Sequence, residues 1–143
     1  MNATLLKFGY PDTTIIAYHY WLVLLRRPQI TLGSLVIAAR GDQTQLSEIS
    51  HDAFSELSTV IKSTETTLKN LWNYDKLNYL MLMMVDPHVH WHVIPRYQKP
   101  IRWLGQSFLD TSWPRPPDLS LSLVLTAEIE QELILKFQNC WCS

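Results

Sequence analysis

Apolar residues recur along this chain with more than one period, and each period predicts its own kind of element. Residues 13–25, Thr-Thr-Ile-Ile-Ala-Tyr-His-Tyr-Trp-Leu-Val-Leu-Leu, are dominated by β-branched and aromatic types, which predicts one or two strands. After the polar break Arg26-Arg27-Pro28-Gln29, the run Leu35-Val36-Ile37-Ala38-Ala39 predicts a further strand ending at the turn Arg40-Gly41-Asp42. Short links between successive strands imply an antiparallel meander. Ser50 then has the chemistry of an N-cap. Behind it Phe54, Leu57, Ile61, Leu68 and Leu71 recur at helical spacing with Val60 and Trp72 beside them, so a helix over residues 51–72 is expected to lay one apolar stripe on the sheet.

Leu77 to Val85 is nearly all apolar, the expectation for a central strand covered on both faces. Only Asp86 and Pro87 separate it from the next run, which predicts a tight hairpin. In that run, His88-Val89-His90-Trp91-His92-Val93-Ile94, an extended backbone puts His88, His90 and His92 on one face and Val89, Trp91 and Val93 on the other. Pro87 and Pro95 bracket it, since proline cannot donate to a ladder in mid-strand. Trp103, Trp113, Pro114, Pro116 and Pro117 predict an irregular segment wrapping a sheet face or edge. Leu121, Val124, Leu125, Ile129, Leu133 and Phe137 predict a second helix within Leu119 to Phe137. The class expected is therefore α+β: a mainly antiparallel sheet of about five strands, one long helix packed on it and a C-terminal helix. Residues 1–143 read as one domain, with a core of about 1–105 and a wrapping tail of about 106–143.

Charge and cysteine usage narrow the function classes. A formal net charge of -1 and a pI near 6.5 argue against a nucleic-acid footprint made by net charge. The N-terminus shows no basic stretch followed by a long apolar one, and no run of about 18 apolar residues occurs, so a cytoplasmic protein with no membrane partner is expected. Cys140 and Cys142, one residue apart, read as free thiols of a reducing compartment, while a Cys-x-Cys metal clip would lack further ligands. His19, between Tyr18 and Tyr20, reads as a partly buried structural histidine, and His51 as a solvated first-turn residue.

The histidine row admits three readings. Alternate imidazoles can present nitrogens to a metal such as zinc, although no matching ligand cluster appears elsewhere. Three histidines can also share a solvated strand face without function. Finally, neutral imidazole is a good nucleophile towards phosphorus near pH 7, and neighbouring imidazoles can donate to phosphoryl oxygens.

The run His88-Val89-His90-Trp91-His92-Val93-Ile94 resembles the signature of the histidine-triad superfamily, in particular its bacterial-type proteins, and the similarity covers roughly residues 1–105. The resemblance implies a HIT-like fold and a nucleotide hydrolase or nucleotidyl transferase acting on an α-phosphorus. It implies His90 as the nucleophile forming a covalent nucleotidyl intermediate, with His88 and His92 flanking the phosphorus. Nucleotide substrates of the dinucleoside polyphosphate or phosphoramidate class and a homodimer follow from it. No cofactor or protein-held metal is implied, beyond a Mg²⁺ carried by the substrate.

The chain departs from the family in three places. The glycine-containing segment with Gln and Ser or Thr that precedes the triad in most relatives is shortened away, which makes Asp86 a candidate to orient an imidazole, with a plain turn carboxylate as the favoured alternative. Ser34, behind Gly33, stands where many relatives carry another histidine, and is expected to hydrogen-bond a triad ring. Leu25, Arg26 and Arg27 lie near the usual ribose-binding acid; Arg26 suits a phosphate better than a diol, while solvated hairpin charges are the alternative. A non-catalytic nucleotide-binding or interaction protein that keeps the triad is the rival to the enzyme.

Overall fold

The computed structural model describes residues 2–143. In chain order the elements are α1 (Ala3–Lys7), β1 (Thr14–Ala17), β2 (Trp21–Leu25), β3 (Leu35–Ala39), a 3-10 turn at Leu46–Glu48, α2 (His51–Trp72), β4 (Lys76–Leu80), β5 (His90–Arg96), β6 (Ile101–Trp103), β7 (Gln106–Phe108) and α3 (Ala127–Cys140). Strands β1 to β5 form one antiparallel sheet in the order β1-β2-β3-β5-β4, and β6 pairs with β7 as a separate hairpin. This is the α+β, mainly antiparallel five-strand architecture that the apolar patterning predicts.

Alternation along the central strands gives the sheet two unlike faces. Trp21, Val23, Leu25, Leu35, Ile37 and Val93 point into one large core with Leu57, Val60, Leu68 and Trp72 of α2 and Leu133, Ile134 and Phe137 of α3. Ser50 caps α2 as expected, its Oγ accepting from Ala53 N–H at 3.1 Å. The buried stripe of α2 runs through Ala53, Leu57, Val60, Thr64, Leu68 and Trp72, so Phe54 lies off it and is exposed. Gly33, at φ +93°, lets the β2–β3 connection pass under this helix: a Cβ there would stand 3.1 Å from both Leu68 and Trp72.

On the opposite face Leu22, Leu24, Val36 and Ala38 form a smaller cluster with Leu5 of α1, flanked by Phe8 and Tyr10. This is also the face of His90 and His92. Asn2 caps α1 and donates from Nδ2 to the carbonyl of Gly41 at 2.7 Å, tying the N-terminal segment to the end of β3.

Further expectations need correction. The apolar run to Val85 is not a central strand: β4 stops at Leu80 and is an edge strand, and Met81–Val89 is a loop rather than a tight hairpin. Leu82, Met84 and Val85 face outward, the last two more than four-fifths exposed, while Met81 and Met83 rest against the core and Val89 is buried in it. The C-terminal helix starts at Ala127, capped by the Thr126 hydroxyl, because an Asp118–Ser120 turn and the bond from Leu123 N–H to Gln29 O hold the preceding residues non-helical. The segment after β5 contains the β6–β7 hairpin, turning through Leu104 and Gly105 at positive φ. His19 is exposed in the β1–β2 connection rather than partly buried, whereas His51, exposed at the start of α2, is the solvated first-turn residue expected. The Arg96–Asp110 ion pair, 2.7 Å and almost wholly buried, anchors the later segment to the end of β5, with Arg96 also donating to Asn78 and to the Arg115 carbonyl.

Candidate active site

Strand β5 begins at His90, so only His90 and His92 of the triad lie on the strand, while His88 belongs to the loop before it. In the ladder His90 sits opposite Ala38 and His92 between Val36 and Leu80. The two rings stand edge to face, centroids 5.0 Å apart. His90 is fully buried; its Nδ1 lies 2.7 Å from the backbone oxygen of His88, and a carbonyl can only accept, so Nδ1 carries the proton. The lone pair of the neutral ring is therefore on Nε2, which is buried and has no hydrogen-bond partner among the described residues. An orphaned buried nitrogen is costly and calls for a functional reason.

His92 is 6 % exposed and accepts at Nδ1 from Arg26 Nε at 3.2 Å. Burial first, then the charges of Arg26 and His90, push its pKa down from 6.5 to about 4, against a smaller upward pull from Asp86. His88 is half-buried and its Nδ1 lies 3.0 Å from the Thr4 hydroxyl. Phe8 lies over the other two imidazoles, 5.3 Å from the His90 ring and 5.7 Å from that of His92.

A cavity of about 410 Å³ opens beside His92, within the range of small-ligand sites. Lys7, Phe8, Arg26, Asp86 and His92 line it, with Pro28, Leu82, Met84 and Val85 as apolar walls. His90 does not line it, whereas Phe8, whose ring packs against that of His90, does. A larger cleft of about 730 Å³ runs along β4 past Lys76, Tyr79, Arg96 and Trp113, but none of the histidines reaches it.

The structure thus gathers His92, Arg26 and Asp86 on one cavity, with His90 packed against His92 behind its wall and His88 outside its lining. Asp86 does not bond an imidazole; its Oδ1 pairs with Lys7 Nζ at 2.9 Å. Ser34 is a correction: fully buried, it bonds Thr31 through its hydroxyl and touches no triad ring. Its carbonyl accepts from Arg26 N–H and from Gln29 Nε2, so Ser34 helps hold the loop that presents Arg26. Arg27 turns away to pair with Glu130 at 2.9 Å. Sequence reasoning missed Thr4, Lys7 and Phe8, all on or next to a five-residue helix too short to show a period. Among the described residues no group of three or more His, Cys, Asp or Glu side chains is placed to hold a metal ion, so the ligand reading of the row lacks a third donor. Among the same residues no helix is long and apolar enough to cross a membrane.

The family model of the HIT domain matches residues 10–99. The fold is similar to that of a histidine triad protein from Bradyrhizobium japonicum, at 21% identity, TM-score 0.75, and coverage of 99% of this chain and 97% of that one. It is similar to a histidine triad protein of Sinorhizobium meliloti, at 17% identity, TM-score 0.75 and coverage of 98% and 95%. A hypothetical histidine triad nucleotide-binding protein from Sulfolobus tokodaii gives 16% identity, TM-score 0.68 and coverage of 96% and 88%. At such identities the likeness is one of fold. No curated protein matches the chain significantly.

Proposed function

The chain belongs to the HIT domain family, and from that premise we propose that it is a nucleotide hydrolase or nucleotidyl transferase acting at an α-phosphorus through a nucleotidyl-His90 intermediate. The observation that carries this reading is the orphaned Nε2 of a buried imidazole whose other nitrogen is committed to a carbonyl. Such a ring is held in the tautomer a nucleophile needs. Nε2 forms a bond to phosphorus as the bond to the leaving group breaks, and the departing oxygen or nitrogen keeps the electron pair. The His88 carbonyl steadies the Nδ1 proton while the ring is cationic. Water then attacks the same phosphorus and gives up a proton to solvent, the P–N bond breaks, and the nucleoside monophosphate leaves as Nε2 regains its lone pair. His92 donates to a phosphoryl oxygen as charge develops, and His88 flanks on the loop side. Lys7 and the free Nη2 of Arg26 give the cavity positive charge for a polyphosphate.

On this reading the buried Nε2 is reached when Phe8, packed against both imidazoles, gives way. No metal on the protein enters the scheme; a Mg²⁺ brought by the substrate is compatible with it. A homodimer and a cytoplasmic setting belong to the same proposal; what supports the homodimer is that β4 lies at the edge of the sheet with no strand on its outer side among the described residues.

The test is rapid quench with a radiolabelled dinucleoside polyphosphate followed by mass spectrometry of the His90 peptide. A nucleotidyl adduct on His90 is the expected result. The Phe8 cover over His90 favours the second reading, a nucleotide-binding protein without turnover, and AMP binding with no adduct would establish that one instead.

A further inference from the structure

His90 and His92 are alike in type, strand and face, yet they are held in opposite tautomers by different devices. The partner of His90 Nδ1 is a carbonyl, which only accepts, so that nitrogen is protonated. The partner of His92 Nδ1 is the Nε–H of Arg26, which only donates, so that nitrogen must hold the lone pair. The single proton of neutral His92 then sits on Nε2. We propose that Arg26 is a positioning residue that locks His92 as an Nε2–H donor beside the Nε2 lone pair of His90, so that the two rings offer one phosphoryl group a nucleophile and a hydrogen-bond donor at once.

The functional meaning rests on the reading of His90 as nucleophile; the lock itself does not. Arg26 is built into its place. Its Nη1 donates to the Pro28 carbonyl, its backbone N–H to Ser34 O at 3.1 Å, and the Gln29 amide ties its carbonyl into the same turn. Two of the three guanidinium nitrogens are therefore spent on the protein, an arrangement suited to aiming a neighbour more than to closing round a ligand.

The groups facing His92 agree with a neutral ring. Arg26 from the β2–β3 loop and His90 from β5 oppose a second proton, as does burial beneath Phe8, whereas Asp86 from the β4–β5 loop, itself paired with Lys7 of α1, pulls weakly the other way. Protonation of Nδ1 would set donor against donor at 3.2 Å.

The experiment is a long-range ¹H–¹⁵N correlation on the ¹⁵N-labelled full chain at neutral pH, read at both nitrogens of His92. The expected spectrum shows a pyridine-type Nδ1 and a pyrrole-type Nε2. In Arg26→Met, which keeps the stem and loses the donor, the two signals should converge towards a tautomer mixture and the titration midpoint should rise. Arg26→Lys should restore the split in part. Turnover by Arg26→Met should fall about 10-fold or more in kcat, the range of a mispositioned acid–base partner, beside the rise in KM that loss of a cavity charge brings, and Arg26→Lys, which keeps the charge, should recover KM more fully than kcat. A pyrrole-type Nδ1 in the wild-type chain, which needs no variant to fold, overturns the proposal, as does an unchanged split in Arg26→Met. If His90 takes no nucleotidyl label while the Arg26-dependent split is present, the lock stands and the hydrolase reading falls. A labelled His90 beside a mixed His92 gives the reverse.

Discussion

On one face of the sheet Trp21, Val23, Leu25, Leu35, Ile37 and Val93 lie beneath a helix of 22 residues and another of 14. On the other, Leu22, Leu24, Val36 and Ala38 share their cover with His90 and His92 beneath a helix of five. Both covers exclude water from the strands they lie on. They differ in how much holds them down, since α1 buries one apolar side chain, Leu5, whereas α2 buries Ala53, Leu57, Val60, Leu68 and Trp72 and α3 buries Leu133, Ile134 and Phe137. The sheet is thus anchored from one side, which leaves the other free to hold imidazoles in fixed tautomers under a cover that can move.

The strongest way to separate the faces is a crossed pair of substitutions. His90→Ala should reduce turnover by about 10³-fold or more, the order seen when a covalent nucleophile is removed. Its stability should change by only about 1 kcal/mol, because the lost bond to the His88 carbonyl is offset by the disappearance of an unpaired buried nitrogen. Trp21→Ala should do the reverse. Trp21 is fully buried and donates from Nε1 to the Ala53 carbonyl at 2.7 Å, so its loss should cost about 3–5 kcal/mol and leave kcat within a few-fold wherever the chain stays folded. Denaturant melts and steady-state rates on both variants decide it. A stability loss with His90→Ala as large as with Trp21→Ala would make the histidine face an ordinary core.

The next effect is on pH. Folded His92 has its pKa lowered to about 4, whereas the unfolded ring titrates near 6.5. Between those values the unfolded chain binds the proton and the folded one does not, so stability falls as pH drops from about 6.5 towards about 4 and levels off for this group below that. Urea melts across that window should show the slope in the wild type and lose much of it in His92→Gln. An identical slope in the variant would assign the acid sensitivity to other groups.

The covered face was the easier to read in advance. Strand β3 and helix α2 lie at the residues the apolar periods mark, because dense packing of one face is what imposes a period. The histidine face resisted. His90, His92, Arg26 and Asp86 became candidates through alternate spacing and the family resemblance, but Thr4 and Phe8 meet the triad across more than eighty residues of sequence, and no local spacing reports such a contact. Ser34 misled because a polar residue beside a strand is equally suited to stapling a turn. The loop Met81–Val89 misled for the opposite reason: Leu82, Met84 and Val85 are apolar without being buried, and hydrophobicity alone marks a strand only where something covers it.

The smallest expected effect concerns the rim of the cavity, where Lys7 and Asp86 pair at 2.9 Å with the lysine side chain 55% exposed. Such a pair contributes about 0.5 kcal/mol or less to stability, so Lys7→Met and Asp86→Asn should each barely move the melting curve. Their effects on substrate should differ in sign. Lys7→Met removes a positive charge from a site for anions, while Asp86→Asn removes a negative one and frees the lysine. Charges several ångströms apart at a partly wet surface interact by about 1 kcal/mol, so KM should rise about fivefold in the first variant and fall by a similar factor in the second. Both shifts should shrink as salt is raised, since screening acts within about 10 Å at 0.1 M. If Asp86 instead orients an imidazole, Asp86→Asn lowers kcat and leaves KM alone, whatever the salt. Rates at two ionic strengths for the two variants therefore tell whether the carboxylate tunes the charge of the cavity or belongs to its chemistry.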